Sequence, residues 1–509
     1  MSLEKISIAV YVAIILFLSI FGLHRYLMMY LFARHKKDVP RPARRFEELP
    51  RITVQLPFYN ELHVAERAIE WACRLEYPRD RLEIQVLDDS TDETTEICRR
   101  KVLEEQLQGI DIDLLHREDR SEFKAGALKE GLKVAQGEFV AIFDADFLPP
   151  PGILHEMVHY LADPEVGMVQ SRWGHENREY SALTEVQAIF LDGHVVIEQT
   201  ARNRSGRFFN FDGTAGMWRK SAIEAGGGWQ GDTLGEDVDL SFRTQLAGYR
   251  FVFLKDLVCP AELPVDMNSF KSQQRRWVKG HCQIVRKLLA RILRSHATFA
   301  QKSEAAIQLL RVFSYPCVVV LMLLMLPMIR IEGAERGWAW LWFDLPVFLA
   351  STTSVLSFYL YSQRESGVPW KPRVPYLPLL ISVGVGISLS NTQAILSALA
   401  KKKTEFIRTP KYGVRARADR WLHKRYDGVV GLLPALEIAF GIYQAAAMIE
   451  AIRLGRWLSL PFLFLFTLGF LYVGILSIAQ PVMRRLERRK VEEVEALVEA
   501  PSRDEVALG

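Results

Sequence analysis

The fold of this chain is decided by residues 139–146, which read FVAIFDAD. An apolar run bounded by Gly137 and Pro149 predicts a buried β-strand. Because residues two apart on a strand face the same side, Asp144 and Asp146 are expected to direct two carboxylates to one point. Ligands bind beyond the carboxyl ends of strands in open α/β sheets, and two oxygen donors there suit Mg²⁺ or Mn²⁺ carrying a diphosphate. Alone, such a pair equally suits a solvated turn, and the surrounding pattern distinguishes the two.

Strand and helix patterns alternate around this stretch. Strands are predicted at residues 52–56, 82–87 and 112–115, and helices at 62–74, 92–107 and 124–134. Such alternation predicts a mostly parallel sheet covered by helices on both faces, an α/β, Rossmann-like fold. Asp88 and Asp89 follow the second strand as the Asp144 pair follows the fourth, so both acidic pairs are expected at one edge of the sheet.

Composition indicates a soluble domain joined to membrane helices. Of the 509 residues, 49% are hydrophobic and 24% are charged, which fits neither class of protein alone. The net charge of +4 is too small to indicate nucleic-acid binding, and the basic residues cluster beside apolar runs, as at a membrane surface. The five cysteines form no C-x-x-C pair, so we interpret them as reduced packing residues.

Six apolar runs are candidates for crossing a membrane. They lie at residues 6–23, 312–329, 337–361, 376–396, 428–448 and 458–482. Basic residues through Arg45 place the end of the first run in the cytoplasm. The 376–396 run is interrupted by Pro378 and a Ser-Asn-Thr sequence, and crossing there would put the ten Lys and Arg of 401–425 outside. We therefore predict that it does not cross, which leaves five spans with the N-terminus outside.

These patterns divide the chain into five parts. They are an N-terminal anchor (1–45), a cytoplasmic α/β domain (46–265), interfacial amphipathic helices (266–305), a membrane region with an interfacial segment and a cytosolic loop at 401–425 (306–483), and a charged tail (484–509). The basic helix predicted at 270–294 has apolar residues at Trp277, Ile284, Leu288 and Ile292. Their helical spacing predicts that this helix lies flat on the bilayer.

Further polar residues are expected to act on a ligand at the sheet edge. Asp89 can accept hydrogen bonds from a nucleoside base or ribose. Lys124 opens a helix, where its ammonium and the free N–H groups can meet a phosphate or a base. Residues 233–236 have the Thr-x-x-Glu form of a capping box, which puts Asp237 in the first helical turn. The helix dipole there favours an ionised carboxylate, as a general base requires.

Gln273, Arg276 and Trp277 share one face of the basic helix because they are three and four residues apart. Arg276 can hold a diphosphate with two N–H groups, and Trp277 can stack on a sugar ring. Each of these residues also has an ordinary interpretation, such as a surface lysine at 124 or a membrane-facing Trp anchor at 277.

Taken in order, these motifs resemble the inverting nucleotide-sugar glycosyltransferases that make cellulose, chitin, hyaluronan and mannan. The matching stretches are QLPFYNE (55–61), DDSTD (88–92), KAG (124–126), DAD (144–146), ED (236–237), QxxRW (273–277) and FIRTPK (406–411). They cover nearly the whole chain. The phrases QVLDDSTDE, FKAGALKEGL and SQQRRWVKGH look most like those of cellulose-synthase-like mannan and glucomannan synthases.

The resemblance implies a role for each motif. The implied roles are catalysis by Asp237 with Glu236, nucleotide-sugar binding by Asp89, Lys124, Asp144, Arg276 and Glu61, metal binding (Mg²⁺ or Mn²⁺) by Asp144 and Asp146, acceptor binding by Gln273 and Trp277, and gating by a loop with Phe406, Thr409 and Lys411. That loop departs from the cellulose-synthase form at Arg408. In the implied reaction, Asp237 takes the proton of an acceptor hydroxyl, which attacks the anomeric carbon opposite the diphosphate. The metal and Arg276 stabilise the leaving group, and one displacement inverts the sugar.

The implied function is transfer of a hexose from GDP-mannose or UDP-glucose to a growing β-linked polysaccharide, exported through a channel of membrane helices. The expected partners are the nucleotide sugar, a polysaccharide or lipid acceptor and the bilayer, without nucleic acid. The expected setting is a bacterial-type cell membrane with the catalytic domain in the cytoplasm. Two alternatives are a non-processive glycolipid synthase of ceramide or diacylglycerol type, and a transporter with an inactive nucleotide-binding domain. Trp277 and the number of apolar runs favour the polysaccharide synthase, and the complete set of acids argues against the transporter.

Overall fold

A computed structural model describes residues 3–331, 352–401, 408–422, 424 and 431–499 of the chain. Most of the apolar run predicted at 337–361, and Phe406 of the predicted gating loop, lie outside the described residues. The end of the run, from residue 352, is described.

The α/β domain contains one seven-stranded sheet. Its strands are β1 (Ile52–Phe58), β2 (Leu82–Asp88), β3 (Ile112–His116), β4 (Phe139–Ile142), β5 (Val166–His175), β6 (Gly216–Arg219) and β7 (Arg250–Ala261). Their order across the sheet is β3-β2-β1-β4-β6-β5-β7. All pairs are parallel except the two that β6 makes with β4 and β5. The predicted mostly parallel sheet, with the first four strands and the helices between them, is confirmed.

The helices of this domain cover both faces of the sheet. They are α2 (Ala65–Cys73), α3 (Thr94–Leu107), α4 (Phe123–Val134), α5 (Ile153–Val158), α6 (Ala182–Asp192), α7 (Gln199–Arg204), α8 (Lys220–Ala225) and α9 (Glu236–Leu246), with α1 (Leu3–His35) preceding them. One face packs through Val54 and Ile84, and the other through Val140 and Met168, all fully buried. A sheet buried on both faces explains why its strands are continuous apolar runs in the sequence.

The remaining helices connect this domain to the membrane region. They are α10 (Met267–Arg294), α11 (Phe299–Leu310), α12 (Ser314–Ile331), α13 (Ser354–Glu365), α14 (Leu377–Gly386), α15 (Ser388–Leu399), α16 (Leu433–Arg453) and α17 (Leu460–Glu499). Within the described residues, five helical stretches are long and apolar enough to cross a membrane: Glu4–His35, Phe299–Ile331, Lys371–Leu399, Leu433–Arg453 and Trp457–Lys490. The chain is thus a multi-pass membrane protein. The Lys371–Leu399 stretch is interrupted at Ile387, between α14 and α15, within the run predicted not to cross.

The prediction that the apolar face of the basic helix, α10, lies on the bilayer is wrong in part. Ile284, Leu288 and Ile292 are buried, and they pack against Phe208 and Phe242 of the α/β domain and against α11 rather than against lipid. A helical apolar period shows that one face of a helix is covered but not by what. Trp277 lies outside this cluster and is half-buried.

The cysteines are as predicted. None is paired, and Cys98, Cys259 and Cys282 are buried in the packed interior. They serve as small apolar side chains.

Candidate active site

The acidic pair after β4 lies in a turn rather than on an extended strand. The strand ends at Ile142, and the N–H of Phe147 donates to the carbonyl of Asp144 at 3.0 Å. The prediction that strand alternation directs Asp144 and Asp146 to one side is therefore wrong in its reason, because the backbone curls before the second acid. The two carboxylates still act on one pocket: burial raises the pKa of Glu61 to about 7, and the negative charges of Asp146 and Asp144 both contribute in the same direction.

Each acid of this pair holds a lysine. Lys124 Nζ lies 2.5 Å from Asp144 Oδ1, and Lys411 is ion-paired with Asp146. Lys124 is the second residue of α4, which confirms that it opens a helix. The side chain of Asp144 is 34% exposed and that of Asp146 only 8%, so Asp144 is the more open to a ligand.

A turn at residues 212–214 joins the functional groups, and the sequence analysis did not identify it. The carbonyl of Gly213 accepts from Lys124 Nζ at 2.8 Å, and Thr214 Oγ1 accepts from the N–H of Asp144 at 2.8 Å. Gly213 has φ +86°, and a Cβ there would lie 3.0 Å from Asp237 Oδ2. The only signal in the sequence is an Asp-Gly-Thr before a short strand, which is typical of many turns.

Asp237 lies in the first turn of α9, as predicted, but the capping box does not form. The helix begins at Glu236, its N-cap is Gly235, and no side chain caps it. Thr233 lies two residues before Gly235, too early to serve as this N-cap.

The expectation that the helix dipole keeps Asp237 readily ionised is also wrong. Burial, followed by the neighbouring charge of Glu236, raises the pKa of Asp237 to about 7. Burial likewise raises the pKa of Glu236, against the charges of Lys124 and Arg276. A carboxylate with a pKa near the operating pH is well matched to taking a proton.

Helix α10 is fixed directly against the start of α9. A Cβ on Gly280 would lie 2.9 Å from the backbone nitrogen of Gly235, so the two backbones touch. The N–H of Leu234 donates to Gln283 Oε1 at 2.8 Å. Arg276 lies one turn before Gly280, where its charge acts on Glu236.

The predicted acceptor residues lie on the same helix. Gln273, Arg276 and Trp277 are all half-buried, as expected of side chains that line an opening. This arrangement brings the Gln-x-x-Arg-Trp face to the proposed base, although the two are distant in sequence.

At the other end of the sheet edge, Asp89 is held by an arginine. Arg117 Nε donates to Asp89 Oδ1 at 2.7 Å and Arg117 Nη2 to Oδ2 at 2.6 Å. The guanidinium of Arg120 lies over the ring of Tyr59, 3.2 Å from its centroid. The sequence analysis did not select either arginine. A planar cation stacked on an aromatic ring beside a carboxylate suits a nucleoside base.

Residues 408–421, which we call the covering segment, lie across this pocket. Arg408 Nη1 lies 2.9 Å from Glu61 Oε2, and it donates to the carbonyls of Tyr59 and Asn60. Lys411 reaches Asp146, as stated above. Thr409 is buried.

Glu262 holds the covering segment through hydrogen bonds to its backbone. Its two carboxylate oxygens accept from the N–H groups of Tyr412 at 3.0 Å and Gly413 at 2.8 Å. Burial raises the pKa of Glu262. Sequence reasoning missed this residue, which is distant from every motif.

The donor set fits Mg²⁺ or Mn²⁺ carried by a substrate. Among the described residues no three His, Cys, Asp or Glu side chains form a group that could hold a metal ion. Mg²⁺, however, is usually held by one or two carboxylates together with the phosphates of the substrate. Asp144 and Asp146 supply such carboxylates, and the ammonium of Lys411 already shows that the second attracts a cation.

Comparisons with known proteins identify a family and a shared fold. Residues 50–280 match the family described as "Glycosyltransferase like family 2". Glucomannan 4-beta-mannosyltransferase 2 of Arabidopsis thaliana is 33% identical over 452 residues, which is 84% of this chain and 80% of the relative. Probable glucomannan 4-beta-mannosyltransferase 10 of the same plant is 43% identical over 254 residues, which is 49% of this chain and 46% of the relative. The chain thus spans about half the length of some of these relatives.

One solved structure shares the fold. It is a mannosyltransferase from Pyrobaculum calidifontis, PcManGT, in complex with GDP-Man and Mn²⁺. It is 23% identical in sequence, with a TM-score of 0.52 over 77% of this chain and 100% of that protein.

Proposed function

Because this chain belongs to glycosyltransferase family 2, in its cellulose-synthase-like branch, we propose that it transfers mannose from GDP-mannose to a growing β-linked glycan. UDP-glucose is the second candidate donor. The observation that carries the proposal is the half-buried Asp237 at the start of α9, with Lys124, Asp144 and the Gln-x-x-Arg-Trp face of α10 around it. The similarity to glucomannan 4-beta-mannosyltransferases and the GDP-Man bound in the related fold support mannose as the sugar.

In this proposal each end of the pocket holds one part of the donor. Asp89, with Arg117, and the Tyr59–Arg120 stack bind the nucleoside. Lys124 and Arg276 face the diphosphate. In its absence their positive charges balance those of Asp144 and Glu236, and the diphosphate would take over part of that role. A divalent cation held by Asp144 and Asp146 would neutralise the diphosphate as it leaves.

Asp237 performs the proton transfer. Its carboxylate takes the proton of the acceptor hydroxyl, whose oxygen then bonds to the anomeric carbon on the face opposite the diphosphate. The bond from that carbon to the diphosphate oxygen breaks, so the configuration inverts. Trp277 stacks on the acceptor sugar and Gln273 bonds to its hydroxyls, which together position it for attack.

The covering segment supports the placement of the catalytic domain and the gate on one side of the membrane. Arg408, Lys411 and Arg417 all contact the α/β domain, Arg417 through the carbonyl of Glu179 at 2.7 Å. An even number of crossings must then separate the domain from residue 408. Three apolar runs lie between them, so one does not cross, and we assign this to the interrupted 376–396 run. With basic residues inside, the domain is cytoplasmic and the product leaves through the membrane helices.

The test is a direct assay. Purified protein in detergent is given radiolabelled GDP-mannose or UDP-glucose with Mg²⁺ or Mn²⁺. The products are separated by size and digested with linkage-specific glycanases. We expect a mannanase-sensitive polymer from GDP-mannose. A single-sugar product that extracts into organic solvent would identify a glycolipid synthase instead, and no turnover of either donor would contradict the proposal.

A further inference from the structure

Behind Asp237 lies a group of buried charges that the mechanism above leaves unused. His194 belongs to the π-helical turn Gly193–Glu198, and both of its ring nitrogens contact carboxylates. Nε2 lies 3.2 Å from Asp212 Oδ1, and Nδ1 lies 3.0 Å from Glu198 Oε2. An ionised carboxylate can only accept hydrogen bonds, so both nitrogens must donate. The ring is therefore an imidazolium.

Asp212 lies next to the base through the turn at residues 212–214. The following residue, Gly213, is so close that a Cβ on it would lie 3.0 Å from Asp237 Oδ2. Asp212 Oδ1 accepts from His194 and also from Gln199 Nε2 at 2.8 Å. Its Oδ2 has no hydrogen-bond partner among the described residues, although the side chain is only 8% exposed. The negative charge on Asp212 Oδ2 is therefore not balanced by a hydrogen-bond donor in the described part of the chain, and it acts on neighbouring groups.

Accepting Asp237 as the base, we propose that Asp212 and His194 are positioning residues that set how tightly Asp237 binds the acceptor's proton. The negative charge of Asp212 strengthens the base. The imidazolium of His194 partly neutralises Asp212 and limits that effect. The pair thus adjusts the base without touching the substrate.

The surrounding structure holds both residues in place. The N–H of Asp212 donates to Gln170 Oε1 of β5 at 3.1 Å, which fixes the turn. Glu198 is held by Arg202 at 3.1 Å and by Arg311 at 2.8 Å. Gln170 and Arg202 are fully buried, so these contacts restrain both residues.

Few other charged groups face the two positions. Asp237 is affected by Glu236, Lys124 and Asp212, and the charge of Asp212 raises the pKa of Asp237 in the same direction as that of Glu236. His194 faces Asp212 and Glu198. Burial lowers the pKa of His281 of α10, and the nearby charges of Arg311 and His194 lower it further. Of these groups, the two test variants change only Asp212 and His194.

The test uses two variants with opposite expected effects. In the full-length protein, kcat/KM is measured from pH 5 to 9 with whichever of GDP-mannose and UDP-glucose is turned over. Asp212→Asn removes a negative charge beside Asp237, so the acid limb should move down by about one pH unit. His194→Gln removes the neutralising cation, so the limb should move up by about one pH unit. A merely structural role would not shift the limb in opposite directions.

The matched control is another buried histidine–aspartate pair, that of His175 and Asp192, whose Nε2 and Oδ1 are 2.9 Å apart. Asp192→Asn should leave the limb in place even if it lowers the yield. Binding of GDP or UDP reports that each variant is folded. If His194→Gln does not fold, His194→Lys keeps a cation, and its limb should stay near that of the wild type.

The outcomes separate the two proposals. Limbs that do not move, or move in the same direction, in Asp212→Asn and His194→Gln overturn this inference. A limb displaced upward in His194→Lys overturns it as well. Full activity of Asp237→Asn would instead overturn the assignment of the base on which it depends.

Discussion

At the scale of single residues, the proposed reaction depends on the state of protonation of Asp237. Its pKa of about 7 means that the carboxylate is protonated, and thus inactive as a base, below that pH. We expect the rate of glycosyl transfer to fall tenfold for each pH unit below about 6. Asp237→Asn should lower kcat by roughly 10²–10⁴ while donor binding persists. Steady-state rates and donor titration measure both effects, and a variant of normal speed would contradict the assignment.

Gly213 is the second decisive residue, because its backbone lies between Lys124 and Asp237. At φ +86° an alanine is strained, and its Cβ would press on the carboxylate of Asp237. We expect Gly213→Ala to lower kcat at least tenfold and to destabilise the fold by about 1–2 kcal/mol. Gly206 has φ +69° and open space around it, so Gly206→Ala is the matched control for backbone strain alone. Equal activity of the two variants would show that contact with Asp237 is unimportant.

At the scale of elements, α10 links the base to the acceptor. Trp277→Ala should impair elongation more than hydrolysis of the donor by water, since water needs no aromatic ring to stack on. Polymer length and free sugar are measured in the same reaction. Trp421, which packs on Tyr412 at 5.4 Å between centroids, is the control for loss of an indole elsewhere. If elongation and hydrolysis decline equally in Trp277→Ala, Trp277 has a structural role.

Features that depend on local sequence could be predicted, whereas features that depend on contacts between distant residues could not. The first four strands are continuous apolar runs between turn residues, so their positions could be predicted from local pattern alone. The capping of α9 could not, because Gly235 lies there against Gly280 of a distant helix. The turn at residues 212–214 was missed for the same reason. Its function comes from contacts with Lys124 and Asp237, which no local pattern contains.

For α10, the apolar periodicity predicts which face of the helix is covered but not what covers it. The spacing of Ile284 and Leu288 predicts an apolar face correctly, but the α/β domain covers it rather than lipid. The acids proposed to bind ligand were selected because their order along the chain matches that of a known family, and their role stays a prediction. Arg117 and Glu262, which hold those acids or the covering segment, belong to no such motif.

At the scale of the whole molecule, the proposed five-span arrangement places the covering segment on the cytoplasmic side of the membrane. Ala418 is exposed within it, close to the contact between Arg417 and Glu179. The test uses a cysteine-free background and sealed vesicles whose cytoplasmic face points inward. Ala418→Cys should react with an impermeant thiol reagent only after these vesicles are permeabilised. A cysteine in the predicted outer turn at Gly455 should react from outside and serves as the control. Labelling of residue 418 from outside would contradict the five-span arrangement.

The buried ion pair between Arg202 and Glu304 can form only after the ribosome has synthesised both residues. The two partners, 2.9 Å apart, are separated by 102 residues of chain. At about 5–20 residues per second, translation needs roughly 5–20 s to deliver the glutamate after the arginine. Glu304 also pairs with His24 of α1, at 3.0 Å. The packing of the α/β domain is thus completed only after α11 has been synthesised and lies beside the first membrane helix, so the nascent chain cannot reach its final fold earlier.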